Sequence, residues 1–396
     1  IMAPTEVLAR QHYETYKKAL GWFKDLDTLP TVGLLTGSQA RVIYPEGLEL
    51  ETKGDKVRAM VKSGEIDIVI GTQALISGKT QFKELGFVVI DEQHRFGVKQ
   101  RQALASKQGN LPHFLSMSAT PIPRTVMLTV LGDLVSSRIT ELPGNREPII
   151  TVIVDPGERK SIYKAIEKEV KTGRQAFFVC PLIDKQEDDE SLTQAQRIKR
   201  QALLDVQSVT EVADNLKQKI FPDLRIARLH GKMKPKEKEA IMQDFSDKKY
   251  DILVATTVIE VGIDIPNATI MAIESVERFG LAQLHQLRGR VGRGEYPGTC
   301  YLFTEKKGIT MQKRLKALTQ ARNGFELAEY DLRLRGPGEF LGRSQTGIPD
   351  LAMKHLSNTE LVEKSRAAAE KVLQNKKLPQ AIGKLVRSFR ERVHRE

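Results

Sequence analysis

Short apolar, β-branched runs recur along this chain, and they constrain its fold more than any other feature. They read VGLLTG (32–37), DIVIGT (67–72), FVVID (87–91), HFLSMSAT (113–120), ITVIV (150–154), QAFFVCPLI (175–183), RIARLHG (225–231), DILVATT (251–257), TIMAIES (269–275) and CYLFT (300–304). A strand with one wet face alternates apolar and polar residues. Runs apolar on both sides of the pleat suit parallel strands covered on both faces. Segments of helical character separate these runs, and strands alternating with helices predict a doubly wound α/β fold.

The alternation breaks near ELPGNREP (141–148), a Pro/Gly/charged stretch of linker character. The expected organisation is one lobe over 1–142 and a second over 149–307. After Phe303 the strand pattern stops. The segment from Thr310 predicts a helix, a turn at Asn323-Gly324, a second helix and a Gly/Pro loop, together spanning 308–350. Within a C-terminal helical segment (351–396), Ile382, Leu385, Val386, Phe389 and Val393 recur at helical spacing. They predict an amphipathic helix docked on a lobe. The acidic run EDDE (187–190) reads as a solvated loop.

A chain of 396 residues, 40% hydrophobic and 28% charged, has room for two or three cores and the composition of a globular protein. Its net charge of +12 points to a polyanionic partner. The surplus is uneven: residues 301–396 carry 20 Lys/Arg against 11 Asp/Glu. Cys180 and Cys300 each sit in an apolar run and read as buried thiols, not as a disulfide or metal pair. No apolar run approaches the roughly 20 residues of a membrane helix. No secretory signal is visible either. The expectation is a reducing, cytoplasmic compartment and no membrane association.

Chemistry concentrates where strands end. Asp91 and Glu92 follow FVVI, so both carboxylates emerge at a strand's C-terminal end, where open α/β sheets bind ligands. An Asp there can hold Mg²⁺ on nucleotide phosphates while the adjacent Glu positions the attacking water. Ser118 and Thr120 close another apolar strand, with hydroxyls placed to bond neighbouring strand-end loops, the one carrying His94 among them. In QLHQLRGRVGRG (283–294), Gln283, Gln286, Arg290 and Arg293 are spaced to share one helical face, with Leu284, Leu287 and Val291 as a separate apolar stripe. Paired guanidinium groups of this kind can act on a transferring phosphoryl group. In VATTVIEVGIDIP (254–266), Gly262 makes a tight turn, Asp264 can reach a ribose hydroxyl and Thr256 can donate to a nucleic-acid phosphate.

Gly78-Lys79-Thr80 looks like the tail of a phosphate-binding loop. That pattern requires glycine at position 73, where Gln73 stands, and a strand directly before the loop, where the helix-like TQALI stands. A surface turn is expected instead.

In order along the chain stand APTEVLARQHY, IGTQAL, DEQHRFG, SATPIPRT, RLHGKM, ATTVIEVGIDIP and QLHQLRGRVGRG. This set resembles a superfamily 2 helicase motor with two RecA-like lobes. DEQHRFGVKQRQAL, SATPIPRT followed by LGDL, HGKMKPKEKEAIM and LAQLHQLRGRVGRG are similar to the RecG family nearly residue for residue. DLRLRGPGEFLGRSQTG (331–347) resembles a motif that RecG shares with the bacterial transcription–repair coupling factor. The resemblance covers essentially the whole chain.

It implies an ATP-dependent DNA helicase that uses ATP and Mg²⁺, with Asp91 and Glu92 as the metal and water carboxylates. His94, Ser118 and Thr120 would couple nucleotide state to motion. Gln286, Arg290 and Arg293 would act on the phosphates, with Gly262 and Asp264 near the ribose. Pro4, Thr5, Thr72, Gly231 and Thr256 would follow the DNA backbone, and Arg335 and Gln345 would couple hydrolysis to translocation. The implied partners are stalled forks, Holliday junctions and R-loops, met by a monomer in the bacterial cytoplasm.

The family also carries an OB-fold wedge domain and a GxxGxGKT loop on the strand before the APTE motif. The sequence holds neither, and it opens on the apolar Ile1-Met2. The expectation is that both lie upstream of Ile1 and that these residues alone do not turn over ATP. Two alternatives stay open: a non-catalytic DNA-binding remnant, and the motor of a transcription–repair coupling factor.

Overall fold

The structure, a computed structural model, describes residues 1–22, 28–92, 112–119, 147–181, 206–257, 265–305, 308–321, 323–335 and 359–374, with isolated positions besides. Each of the ten apolar runs forms a strand. The chain divides into two compact units. One comprises residues 1–120, 146–278 and 286–305 and holds all the described strands; the other comprises 121–145, 279–285 and 306–396.

Within the first unit, the N-terminal strands are β1 (Val32–Leu35), β2 (Ala40–Ile43), β3 (Glu49–Glu51), β4 (Ile68–Gly71), β5 (Phe87–Ile90) and β6 (His113–Ser116). β1 pairs in parallel with β4, and β5 with β6. Residues 1–3 join the two pairs. Met2 bridges Gly71 and Ile90 in parallel; its N–H donates to Val89 O at 2.8 Å, and the Ala3 N–H donates to Gly71 O at 2.9 Å. The apolar opening of the chain is therefore an interior rung of a parallel sheet, and Met2 and Ala3 are buried accordingly. Helix α1 (Glu6–Leu20) leaves this rung, with Thr5 as its N-cap. The Thr5 hydroxyl accepts the Leu8 N–H at 3.3 Å, satisfying one of the donors a helix start leaves open. Ala9, Tyr13 and Leu20 form its buried face. Helix α2 (Gly54–Ser63) buries Val57, Met60 and Val61 and ends on Gly64 in the left-handed region.

The sequence pattern marks no strand at 40–51, yet β2 runs antiparallel to β1 and β3 antiparallel to β2. β2 is only four residues, with Arg41 breaking its apolar run, and β3 is both shorter and polar. β3 is the tripeptide Glu49-Leu50-Glu51 and is largely exposed, so it carries no apolar signature.

The second sheet contains β7 (Ile150–Val154), β8 (Gln175–Val179), β9 (Ile226–Leu229), β10 (Ile252–Ala255), β11 (Ala268–Ile273) and β12 (Thr299–Phe303). All its pairings are parallel, in the order β7-β12-β11-β8-β10-β9. Helices α3 (Arg159–Lys171) and α4 (Pro235–Ser246) belong to its connections. β8, β10 and β11 are buried along their whole length, as the non-alternating runs require. Neighbouring phenylalanines on β8 show the two faces: Phe178 meets Phe221 edge-on at 6.1 Å, and Phe177 packs on Phe245 of α4 at 5.2 Å. Burying one such ring stabilises by about 1.5–3 kcal/mol. Cys180 and Cys300 are buried free thiols.

Helix α5 (Leu281–Arg288) precedes β12 in the chain. In the second unit, α6 (Ile309–Gln320) and α7 (Gly324–Arg335) form the expected hairpin, and α8 (Thr359–Gln374) follows. Asn323 is more than a turn residue: its Oδ1 accepts the Glu326 N–H at 3.0 Å and caps α7. The amphipathic pattern from Ile382 to Val393 and the EDDE run lie outside the described residues. No described helix is long and apolar enough to cross a membrane.

Candidate functional site

β5 and β6 are in register, with Ile90 opposite Ser116, so the residues that follow them emerge side by side at the C-terminal edge of the sheet. The Met117 N–H donates to Ile90 O at 2.8 Å and the Asp91 N–H to Met2 O at 2.9 Å, so the ladder extends to the strand ends. Asp91 is partly buried. Its Oδ1 accepts the Glu92 N–H at 2.8 Å, and its Oδ2 lies 2.8 Å from His12 Nε2 on α1.

Glu92 is buried, 7% exposed, and holds φ at +49°. A non-glycine residue in this left-handed region costs about 1–3 kcal/mol unless its surroundings hold it there, and such residues cluster at functional sites. One of its contacts is visible: Glu92 Oε2 accepts the Ala119 N–H at 3.4 Å. The DEQH and SAT stretches are thus joined through a main-chain amide that the sequence does not mark. Ser118 stands exposed on the same loop; His94 and Thr120 lie outside the described residues.

Gly78-Lys79-Thr80 is a turn, as expected, but not wholly a surface one. Thr80 is fully buried, and its hydroxyl donates to Ala74 O at 2.9 Å. A hydroxyl aimed back at a one-turn helix (Gln73–Leu75) is turned away from any phosphate in solvent.

The second-lobe arginines correct the sequence pattern. A single helical face carrying Gln283, Gln286, Arg290 and Arg293 does not form, because α5 ends at Arg288. Gly289 and Arg290 make a turn, and Gly292 adopts φ +65°. The glycines explain this exit. A Cβ at Gly292 would lie 2.8 Å from the Gly298 nitrogen, and one at Gly294 would lie 2.5 Å from Pro266 O. Gln283 caps the start of α5, its Oε1 accepting the Gly280 N–H at 3.1 Å. Gln286 and Arg290 are half-buried. Arg293 is exposed, with Nε donating to Gly289 O at 2.9 Å. The apolar stripe is real: Leu284, Leu287 and Val291 are all fully buried.

Pro4, Thr5 and Thr72 are half-buried at strand or helix ends, and Gly231 is exposed just after β9. Lys238 of α4 donates to Gly231 O at 2.8 Å, and burial holds its ammonium below the usual lysine range. Thr256 is buried, 1% exposed, directly after β10. Gly262, Asp264 and Gln345 lie outside the described residues, as does the side chain of Arg335.

A cluster that no motif announces stands where β11 ends. Glu274 accepts from Arg159 at 2.9 Å and from the Tyr163 hydroxyl at 3.3 Å. Arg159 also lies 4.9 Å from the centre of the Phe303 ring. Burial pushes the Glu274 carboxyl above its ordinary range, against the pull of Arg159.

The DEAD/DEAH box helicase family matches residues 1–129, and the helicase conserved C-terminal domain matches 163–295. Residues 321–385 match the C-terminal part of domain 3 of the ATP-dependent DNA helicase RecG. A relative from Synechocystis sp., described as ATP-dependent DNA helicase RecG, is 47% identical over 94% of this chain and 41% of its own length. One from Aquifex aeolicus with the same description is 42% identical over 95% of this chain and 44% of its own. A solved structure of RecG bound to a three-way DNA junction matches with a TM-score of 0.64 at 38% identity, covering 91% of this chain and 43% of that one. The chain spans a little under half the length of these relatives.

Parallel strand pairs in the N-terminal part and an all-parallel second sheet, with paired carboxylates at a strand end and an arginine loop beyond a capped helix, define the class as the two-lobed RecA-like fold of DEAD/DEAH box helicases. The C-terminal match and the identity over nearly the whole chain narrow the class further. The chain belongs to the RecG family.

Proposed function

We propose that these residues form the ATP-driven motor of a RecG-type DNA helicase, which remodels stalled forks and branch-migrates Holliday junctions in recombination and repair. The observation that carries this reading is the buried, left-handed Glu92 beside Asp91, tied to the loop of the neighbouring strand. A strained carboxylate held from two strand ends is suited to positioning one water molecule, and its backbone cost is explained by that task.

The residues fit Mg²⁺. That ion takes oxygen ligands, keeps several waters, and binds through one or two carboxylates plus phosphate oxygens. Asp91 offers such a carboxylate, while among the described residues no cluster of three His, Cys, Asp or Glu forms an all-protein cage. Asp91 would hold the ion, which would neutralise charge on the nucleotide phosphates. Glu92 orients the attacking water. Gln286, Arg290 and Arg293 contribute donors to the phosphates, and Gly262 and Asp264 lie toward the ribose. His94, Ser118 and Thr120 relay the nucleotide state. Pro4, Thr5, Thr72, Gly231 and Thr256 follow the DNA backbone, and Arg335 and Gln345 couple hydrolysis to movement. The lobe limits 1–142 and 149–307, followed by 308–350 and 351–396, belong to the same reading, as do R-loops among the substrates, a monomeric state and the bacterial cytoplasm.

The relative captured on a three-way junction supports branched DNA as the substrate class. The sequence holds no GxxGxGKT loop, so turnover is tested in a chimera. Residues 1–396 replace the matching part of the Aquifex aeolicus relative, and ATP hydrolysis is measured with forked DNA. Turnover stimulated by the fork, and lowered in Glu92→Gln by about 10²-fold or more, is the expected result. Equal turnover in Glu92→Gln would remove Glu92 from the reaction, and a chimera that binds forked DNA without hydrolysing ATP would favour a non-catalytic DNA-binding role.

A further inference from the structure

His12 takes no part in the reading above, yet it makes one of the closest polar contacts of the candidate site. Its Nε2 lies 2.8 Å from Asp91 Oδ2, although 79 residues separate the two in sequence. The other carboxylate oxygen accepts the Glu92 N–H at 2.8 Å, and the Asp91 main chain is held by Met2 O at 2.9 Å. The carboxylate is therefore fixed on both oxygens and at its backbone. The two side chains keep 25% and 19% of their surface exposed, so solvent still reaches them.

An ionised carboxylate only accepts hydrogen bonds, so the contact requires the proton on His12 Nε2. Each carboxylate oxygen has a second lone pair, and the bonds from His12 and Glu92 decide which directions remain open. Groups that hydrogen-bond a metal-ligating carboxylate orient it, and their loss typically weakens metal binding by about 10–100-fold. His12 is well placed for this. It rides on α1, whose start is fixed by the Thr5 cap and whose buried face includes the next residue, Tyr13.

We propose that His12 is a positioning residue for Asp91, donating from Nε2 to aim the carboxylate at a divalent cation. The inference rests on Asp91 as the cation's ligand, and the experiment separates the two. The 396-residue chain is labelled with ¹⁵N at histidine, and His12 is assigned as the signal missing from His12→Gln. Its ring nitrogens are recorded in the wild type and in Asp91→Asn, without metal and with Mn²⁺ as a paramagnetic probe.

The expected wild-type signature is an Nε2–H tautomer that changes in Asp91→Asn, with Mn²⁺ broadening of the His12 signal lost in the same variant. Mn²⁺ relaxation of water protons then reads metal binding directly in two further variants. His12→Ala should weaken it by about 10-fold or more, and His12→Gln, which keeps a donor of similar reach, should recover most of it. A ring protonated at Nδ1, or one indifferent to Asp91→Asn, overturns the positioning role. So does His12→Ala binding Mn²⁺ like the wild type while Asp91→Asn does not. Broadening that is absent in the wild type or persists in Asp91→Asn overturns the assignment of the metal to Asp91, and the proposal falls with it.

Discussion

Glu92 and Gly292 both hold positive φ, for opposite reasons. At Glu92 a side chain is kept in spite of the strain, because its carboxylate reaches the Ala119 amide. At Gly292 a side chain is excluded, since a Cβ would meet the Gly298 nitrogen at 2.8 Å. Gly292→Ala should therefore destabilise the fold by about 1–3 kcal/mol, read as a lower midpoint in urea unfolding. Glu274 gives a second residue-scale prediction, with a sign. Burial raises its folded-state pKa, so the folded chain holds this proton more tightly than the unfolded one. Its contribution is most favourable below the unfolded value of about 4.3. That contribution is lost as pH rises through the raised folded value. Thermal unfolding of Glu274→Gln and wild type across that range should differ in slope, with the wild type losing more stability as pH rises. Parallel curves would show that Arg159 compensates the burial fully. Asp91 and Glu92 are legible in the sequence because they sit at the end of an apolar run. The Ala119 amide, His12 and the Arg159–Glu274 pair are not, since each contact joins elements far apart in the chain and leaves no local pattern.

At the scale of elements, every described parallel strand is visible as an apolar run, and among the described strands only the short antiparallel β2 and β3 escape. The arginine segment shows the limit of periodicity. Spacing of 3, 4 and 3 describes a helical face only while the backbone stays helical, and three glycines in six residues (289–294) end it after Arg288. What periodicity reads correctly is the apolar side, Leu284, Leu287 and Val291, because burial constrains it independently of the helix end. The α6–α7 hairpin is legible for a chemical reason. Asn323 lies just beyond the end of α6 at Gln320 and caps the next helix, and Gly324 opens α7 directly after it. Asn323→Ala should cost about 1 kcal/mol, the usual loss at an N-cap. Amide exchange is the apt measurement: the first turn of α7 should exchange faster while β8 and β11 keep their protection. An equal loss in both places would mean that the cap supports the whole chain and not one helix.

For the whole molecule, charge and fold divide the labour. The sheets supply strand-end chemistry, and the basic surplus lies mainly beyond them: 20 Lys/Arg against 11 Asp/Glu in residues 301–396, within a net charge of +12. Such a distribution favours a polyanion without choosing its sequence, because phosphate contacts act through counterion release. Binding of forked DNA by this chain should therefore weaken steeply with salt, the logarithm of affinity falling linearly with the logarithm of salt concentration. A slope of about −0.9 is expected for each phosphate neutralised on duplex DNA. Substituting Lys313, Lys316 and Arg333 by Gln, three exposed or half-exposed positions on the hairpin, should lower the steepness by up to about 2.7 if all three meet phosphates. The same variants should leave thermal stability nearly unchanged, since exposed charges contribute little to folding. Fluorescence anisotropy with a labelled fork across a salt series measures the slope directly. An unchanged slope in the triple variant would remove the hairpin from the DNA-binding surface, and a flat response in the wild type would remove the electrostatic account altogether.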